Sequence, residues 1–187
     1  MDKFFGNLHL VLVVGLIAAL AVMFGLDADL VSVNSVLRWL HLFFGVIWIG
    51  LLYYFNFVQM PTMPKIPAEL KPGVSKFIAP SALFFFRWGA AFTVLTGLLI
   101  AWVTGYLVEA LSFKDGYKLI GVGMWLALIM AFNVWFVIWP AQQKALGLVE
   151  ADDATKAAAA KRAMMFSRTN TLLSIPMFYT MVNANLG

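Results

Sequence analysis

Long apolar runs, each close to bilayer thickness and each closed off by polar or basic residues, constrain this chain more than any other feature. A helix needs about 20 apolar residues to cross ~30 Å of hydrocarbon. Runs of this kind predict spans at about 8–26, 36–58, 83–108, 119–139 and 169–186, with a cytosolic helical segment of about 150–168 leading into the last. The expected fold class is all-α: a polytopic integral membrane helical bundle of about five transmembrane helices, forming one membrane domain over 1–187. Charged residues make up 12% of the chain, against about a quarter in soluble domains. The net charge of +4 is no nucleic-acid signal, because the basic residues fall between the apolar runs.

Those basic residues also orient the bundle. With the N-terminus inside, Lys3, Lys65, Lys71, Lys76, Lys144, Lys156, Lys161, Arg162 and Arg168 gather on the inner side, with Arg87 just within the third span. Only Arg38, Lys114 and Lys118 are left outside, the asymmetry expected of inward-facing loops. Lys3 before an apolar core also describes a signal peptide, although no small-residue cleavage site precedes Asp27. Prolines 61, 64, 67, 72 and 80 predict a stiff, extended connector over 59–80. Pro140 is expected to end the fourth span and Pro176 to kink the last.

With no cysteine in the chain, disulfides, zinc–thiolate sites, iron–sulfur clusters and thioether-linked haem are excluded. Two histidines remain. His9 opens the first span from one side and His41 enters the second from the other, which separates them by roughly 20 Å along the membrane normal. They are therefore not expected to share one metal. His41 is the candidate ligand, for a b-type haem iron, with Arg38 one turn away to pair with a propionate. Gly45, one turn further in, is expected to give a flat group room beside the imidazole. The plainer account gives Gly45 to helix packing, His41 to a hydrogen bond across the bundle and Arg38 to lipid headgroups. Asn133 is expected to bridge helices. The spans hold no carboxylate pair and do not divide into equal repeats, which argues against pumps and carriers.

Arg38-Trp-Leu-His41, Gly45 and Trp48-Ile-Gly50 resemble the membrane-bound urate oxidase (urate hydroxylase) family. So do Lys76-Phe-Ile-Ala-Pro80, Phe86-Arg-Trp88, Thr96-Gly-Leu-Leu99, the stretch from Asn133 to Gln142, and the last span with Asn170, Pro176, Met181 and Asn183. Shorter resemblances run to membrane protoporphyrinogen oxidases and copper-resistance proteins. The urate oxidase resemblance implies a membrane domain, often joined to a cytochrome c domain, that oxidises urate and passes electrons to a respiratory chain. It also implies a place in a bacterial cytoplasmic membrane. The chain departs from that pattern, with Thr169 and Asn185 where the family carries histidines and with the proline-rich connector in place of a glycine-rich one.

Two readings follow. One is a redox protein with b-type haem held by His41, its partners being the bilayer, a cytochrome or larger membrane complex, or a second copy of the chain. The other is a non-catalytic accessory subunit of a respiratory-type complex.

Overall fold

A computed structural model describes residues 2–26 and 31–184. After a single turn, α1 (Asp2–Phe5), helix α2 runs over Leu8–Leu26. Two 33-residue helices follow, α3 (Val33–Lys65) and α4 (Lys71–Val103). Gly105, with φ of +82°, breaks the chain before the short α5 (Leu107–Leu111). Next come α6 (Lys118–Ala145) and α7 (Asp153–Asn183). Helices α2, α3, α4 and α6 are long and apolar enough to cross a membrane.

The bundle is built from α3 against α4 and α6 against α7, with further contacts joining the two pairs. Trp48, Leu52, Phe86, Met130 and Val134 form its dry centre. Gly89 makes the α3–α4 approach possible, since a Cβ there would stand 3.1 Å from the Trp48 backbone nitrogen. The face of this pair is lined by aromatic contacts, Phe44 stacked on Phe92 at 4.9 Å and Phe55 edge-on to Phe86 at 5.6 Å. No residue of α2 is buried.

The prolines are placed differently from the expectation of an extended connector. Helix α3 continues to Lys65 and α4 begins at Lys71, so only residues 66–70 lie between them. Pro61, Pro80 and Pro140 each stand two residues after a wide π turn, over Tyr54–Gln59, Val74–Ile78 and Asn133–Ile138 respectively. A proline removes one backbone donor and crowds the carbonyl a turn behind it. A π turn ahead of it lets the backbone bonds rearrange without ending the helix. Pro140 therefore lies inside α6 instead of stopping it. The third expected span, 83–108, is displaced toward the N-terminus, because α4 begins at Lys71 and closes at Val103.

The segments expected over 150–168 and 169–186 join in one helix, α7, over Asp153–Asn183; it is not among the helices apolar enough to cross a membrane, and its polar residues point inward. Asn170 and Ser174 are wholly buried, whereas Leu172 (68% exposed), Ile175 (65%) and Tyr179 (66%) face outward. Asn133 donates to the Asn170 carboxamide oxygen at 2.9 Å, and Asn170 donates to the Met130 carbonyl at 2.9 Å. Asn56 reaches Ser167 at 2.8 Å, and the Tyr53 hydroxyl meets Ser174 at 2.9 Å. The helix-bridging role expected of Asn133 is thus observed. The end of the last expected span, including Asn185, and most of the loop from Asp27 lie outside the described residues.

At the start of α7 the Asp152 side chain accepts from the Thr155 backbone N–H at 2.6 Å. This bond holds the carboxyl below its usual pKa, with a second contribution from the Thr155 hydroxyl. A lowered pKa in the fold means that the cap is in place above the ordinary carboxylate range and is lost as pH falls through the folded value. Amide exchange in the first turn of α7 should therefore accelerate on acidification, and Asp152→Ala should make it fast at neutral pH and remove that pH dependence. Asn170→Ala, which leaves the Asn133 carboxamide without its acceptor and takes one donor from the Met130 carbonyl, should destabilise the protein by about 1–2 kcal/mol in reversible detergent unfolding. The exposed Ser81→Ala should change it little.

Candidate functional site

The face of α4 that carries Thr93, Thr96 and Gly97 receives the imidazole of His41 from α3. His41 Nδ1 donates to the Thr93 carbonyl at 2.9 Å and lies 3.2 Å from the Thr96 hydroxyl oxygen. That hydroxyl gives its own proton to the Phe92 carbonyl at 2.7 Å, so both groups facing Nδ1 act as acceptors. A hydrogen therefore resides on Nδ1, and in the neutral imidazole Nε2 keeps its lone pair. No hydrogen bond to Nε2 occurs among the described residues.

His41 lines a cavity of about 250 Å³ between α3, α4, α6 and the end of α7. Arg38 and Asn34 continue its wall up α3, and Thr104 and Tyr106 close it from the chain after α4. Met124 and Met181 supply apolar wall from α6 and α7. The Asn34 carboxamide oxygen is buried and has no partner among the described residues. Burial raises the Tyr106 phenol above its ordinary pKa, and the nearby Arg38 charge works against that rise. Tyr117 stacks on Tyr106 at 6.0 Å between ring centroids. The site thus combines a cation, two acceptors and a phenol at one end of the bundle, over an apolar floor.

Of the residues expected from sequence, His41 and Arg38 meet in this cavity. Gly45 does not serve it, because a Cβ at Gly45 would only touch the Thr93 methyl at 3.9 Å. The glycine that admits the imidazole is Gly97 on the facing helix, where a Cβ would stand 2.9 Å from His41 Cε1. His9 is exposed on α2. Asn34, Thr93, Thr96, Gly97 and Tyr106 were not singled out from sequence as site residues. The signal for three of them was the small and hydroxylic face at 93, 96 and 97 within an otherwise apolar helix.

The expected b-type haem can be tested against this geometry. The donor suits iron, since a backbone carbonyl on Nδ1 is the arrangement that presents Nε2 to a metal. The space does not. Pockets for drug-sized ligands occupy roughly 300–1,000 Å³, and a haem with its propionates is at least that large, against about 250 Å³ here. Among the described residues no group of three or more His, Asp or Glu side chains is placed to hold a metal ion.

A family model described as urate oxidase N-terminal matches residues 111–187. The C-terminal part of the chain is similar to that family. The matched stretch carries α6 and α7, hence the Asn133–Asn170 pair and the Met124 and Met181 walls of the cavity. His41 and Arg38 lie before it. No curated protein and no solved structure matches the chain.

Two glycine substitutions separate the two accounts of how the imidazole is accommodated. Gly97→Ala should push His41 off the Thr93 carbonyl and cost about 1–3 kcal/mol, with a shift of the His41 Cε1–H resonance in NMR spectra of the labelled protein. Gly45→Ala should leave that resonance in place.

Proposed function

We propose that this is a urate-oxidase-related integral membrane protein whose working site is the His41 cavity. Its ligand is a small, planar, weakly acidic nitrogen heterocycle, of which urate is the type. The observation that carries this reading is the His41 imidazole, locked with Nε2 bare at a cavity wall that also bears Arg38 and the unpaired Asn34 oxygen. In such a site Nε2 and the Asn34 oxygen accept N–H groups of the ring, and the Arg38 guanidinium offsets the charge of its anion. The cavity volume suits one such ring, and the family match over 111–187 favours urate chemistry over other heterocycles. Electrons taken from the ring pass to a cytochrome or a larger respiratory-type complex in the same bacterial cytoplasmic membrane.

Membrane embedding is supported by the inverted pattern of α7, with amides inside and large apolar side chains outside, and by the exposed Phe, Leu and Ile of α2, α3, α4 and α6. Soluble bundles show the reverse. An accessory, non-catalytic role in a membrane complex is the second reading. It is favoured by α2, an apolar helix with no residue buried in this chain.

Urate titrated into the detergent-solubilised protein tests the main reading. Binding should weaken at least tenfold in His41→Ala and in Arg38→Gln and stay unchanged in His9→Ala. Equal urate affinity in all four proteins would remove the site. A Soret band present in the native protein and lost in His41→Ala would show that the cavity opens to hold haem. Co-purification with a respiratory complex and no urate binding would favour the accessory role.

A further inference from the structure

At the end of the bundle opposite the His41 cavity, a second cavity of about 250 Å³ opens between α6 and α7. Its walls are Phe136, Val137 and Pro140 on α6 and Ala158 and Ala159 on α7. Ala141 also lines the cavity, and together with Ala159 and Ala163 it brings the two helices into direct contact. Lys144 and Arg162 stand at its rim together with Thr155.

Neither cation has a counter-ion among the described residues. The ion pairs among the described residues join Lys114 to Glu109, Lys118 to Asp115 and Lys156 to Asp153. Asp152 caps α7, and no acidic residue lines the groove. Exposed lysines and arginines alone would be an ordinary solvated surface. What differs here is the wall between them, which is almost wholly apolar and runs on to Phe136 and Phe132, 68% and 56% exposed and 4.9 Å apart at their ring centroids. A soluble anion has nothing to place against that wall, and an uncharged chain leaves the cations unused. The complementary molecule has an anionic head and a hydrocarbon tail.

We propose that this groove is a binding site for an anionic phospholipid, its headgroup phosphate held between Lys144 and Arg162 and one acyl chain lying along Phe136 and Phe132. Basic pockets between helices at the inner membrane surface take anionic headgroups in this way. The assignment rests on the membrane embedding proposed above and is independent of what the His41 cavity binds.

Native mass spectrometry of the full chain in detergent, titrated with phosphatidylglycerol or phosphatidylcholine, tests it. Phosphatidylglycerol should bind in preference, and Lys144→Gln with Arg162→Gln should weaken that binding roughly 10–30-fold while leaving phosphatidylcholine unaffected. Ala158→Phe, which fills the groove without changing charge, should weaken it as well. Removing an equal charge elsewhere, by Lys65→Gln with Lys76→Gln, should not. The proposal is overturned if that control pair weakens binding as much, since the attraction is then diffuse, or if Ala158→Phe has no effect. It is also overturned if inorganic phosphate displaces the lipid at equal concentration. A chain that stays soluble without detergent overturns the embedding and the lipid site together, whereas a detergent-dependent chain with unselective lipid binding overturns the lipid site alone.

Discussion

The carboxamide of Asn170 is the interaction on which the arrangement of this bundle depends. Wholly buried, it takes a hydrogen bond from Asn133 and gives one to the Met130 carbonyl, so both of its polar groups are engaged by one turn of α6. An amide shut away from water without partners would be costly. The pairing therefore sets the register of α7 against α6. Ser167 and Ser174, one turn to either side, repeat the device toward α3 through Asn56 and Tyr53. These polar contacts hold a helix of mixed composition inside an apolar bundle, and they bring Met181 to the wall of the His41 cavity.

The three π turns express a second constraint. Each precedes a proline by the same spacing, in α3, α4 and α6. By keeping those helices continuous, they carry α3 and α4 to 33 residues, roughly 50 Å at 1.5 Å per residue. The turn over Asn133–Ile138 also begins at the residue that pairs with Asn170, so the widened backbone and the buried amide pair occur at the same level of α6.

The candidate site shows where sequence reasoning reaches and where it stops. His41 and Arg38 were legible because ionisable groups within an apolar run call for an explanation. Gly45 was chosen for the space it leaves on the same helix, but the imidazole leans across to α4, and the space it uses is at Gly97. Spacing along one helix cannot reveal which residue of another helix lies opposite. Tyr106 and Asn34 were hidden for the same reason, since one belongs to a connection and the other to the first turn of α3, and only packing brings them to a common cavity.

By itself, the sequence determined that the chain is helical, that most of its helices are long and apolar, and that His41 and Arg38 share one end of the second long helix. These follow from local composition and the helical repeat, which each segment carries alone. Only the tertiary structure decided that α7 turns its polar face inward, that prolines lie within continuous helices, and that His41 bonds to Thr93 with Nε2 free at the cavity. Those outcomes depend on hydrogen bonds and close approaches between residues far apart in the chain, and such partners exist only once the helices have packed.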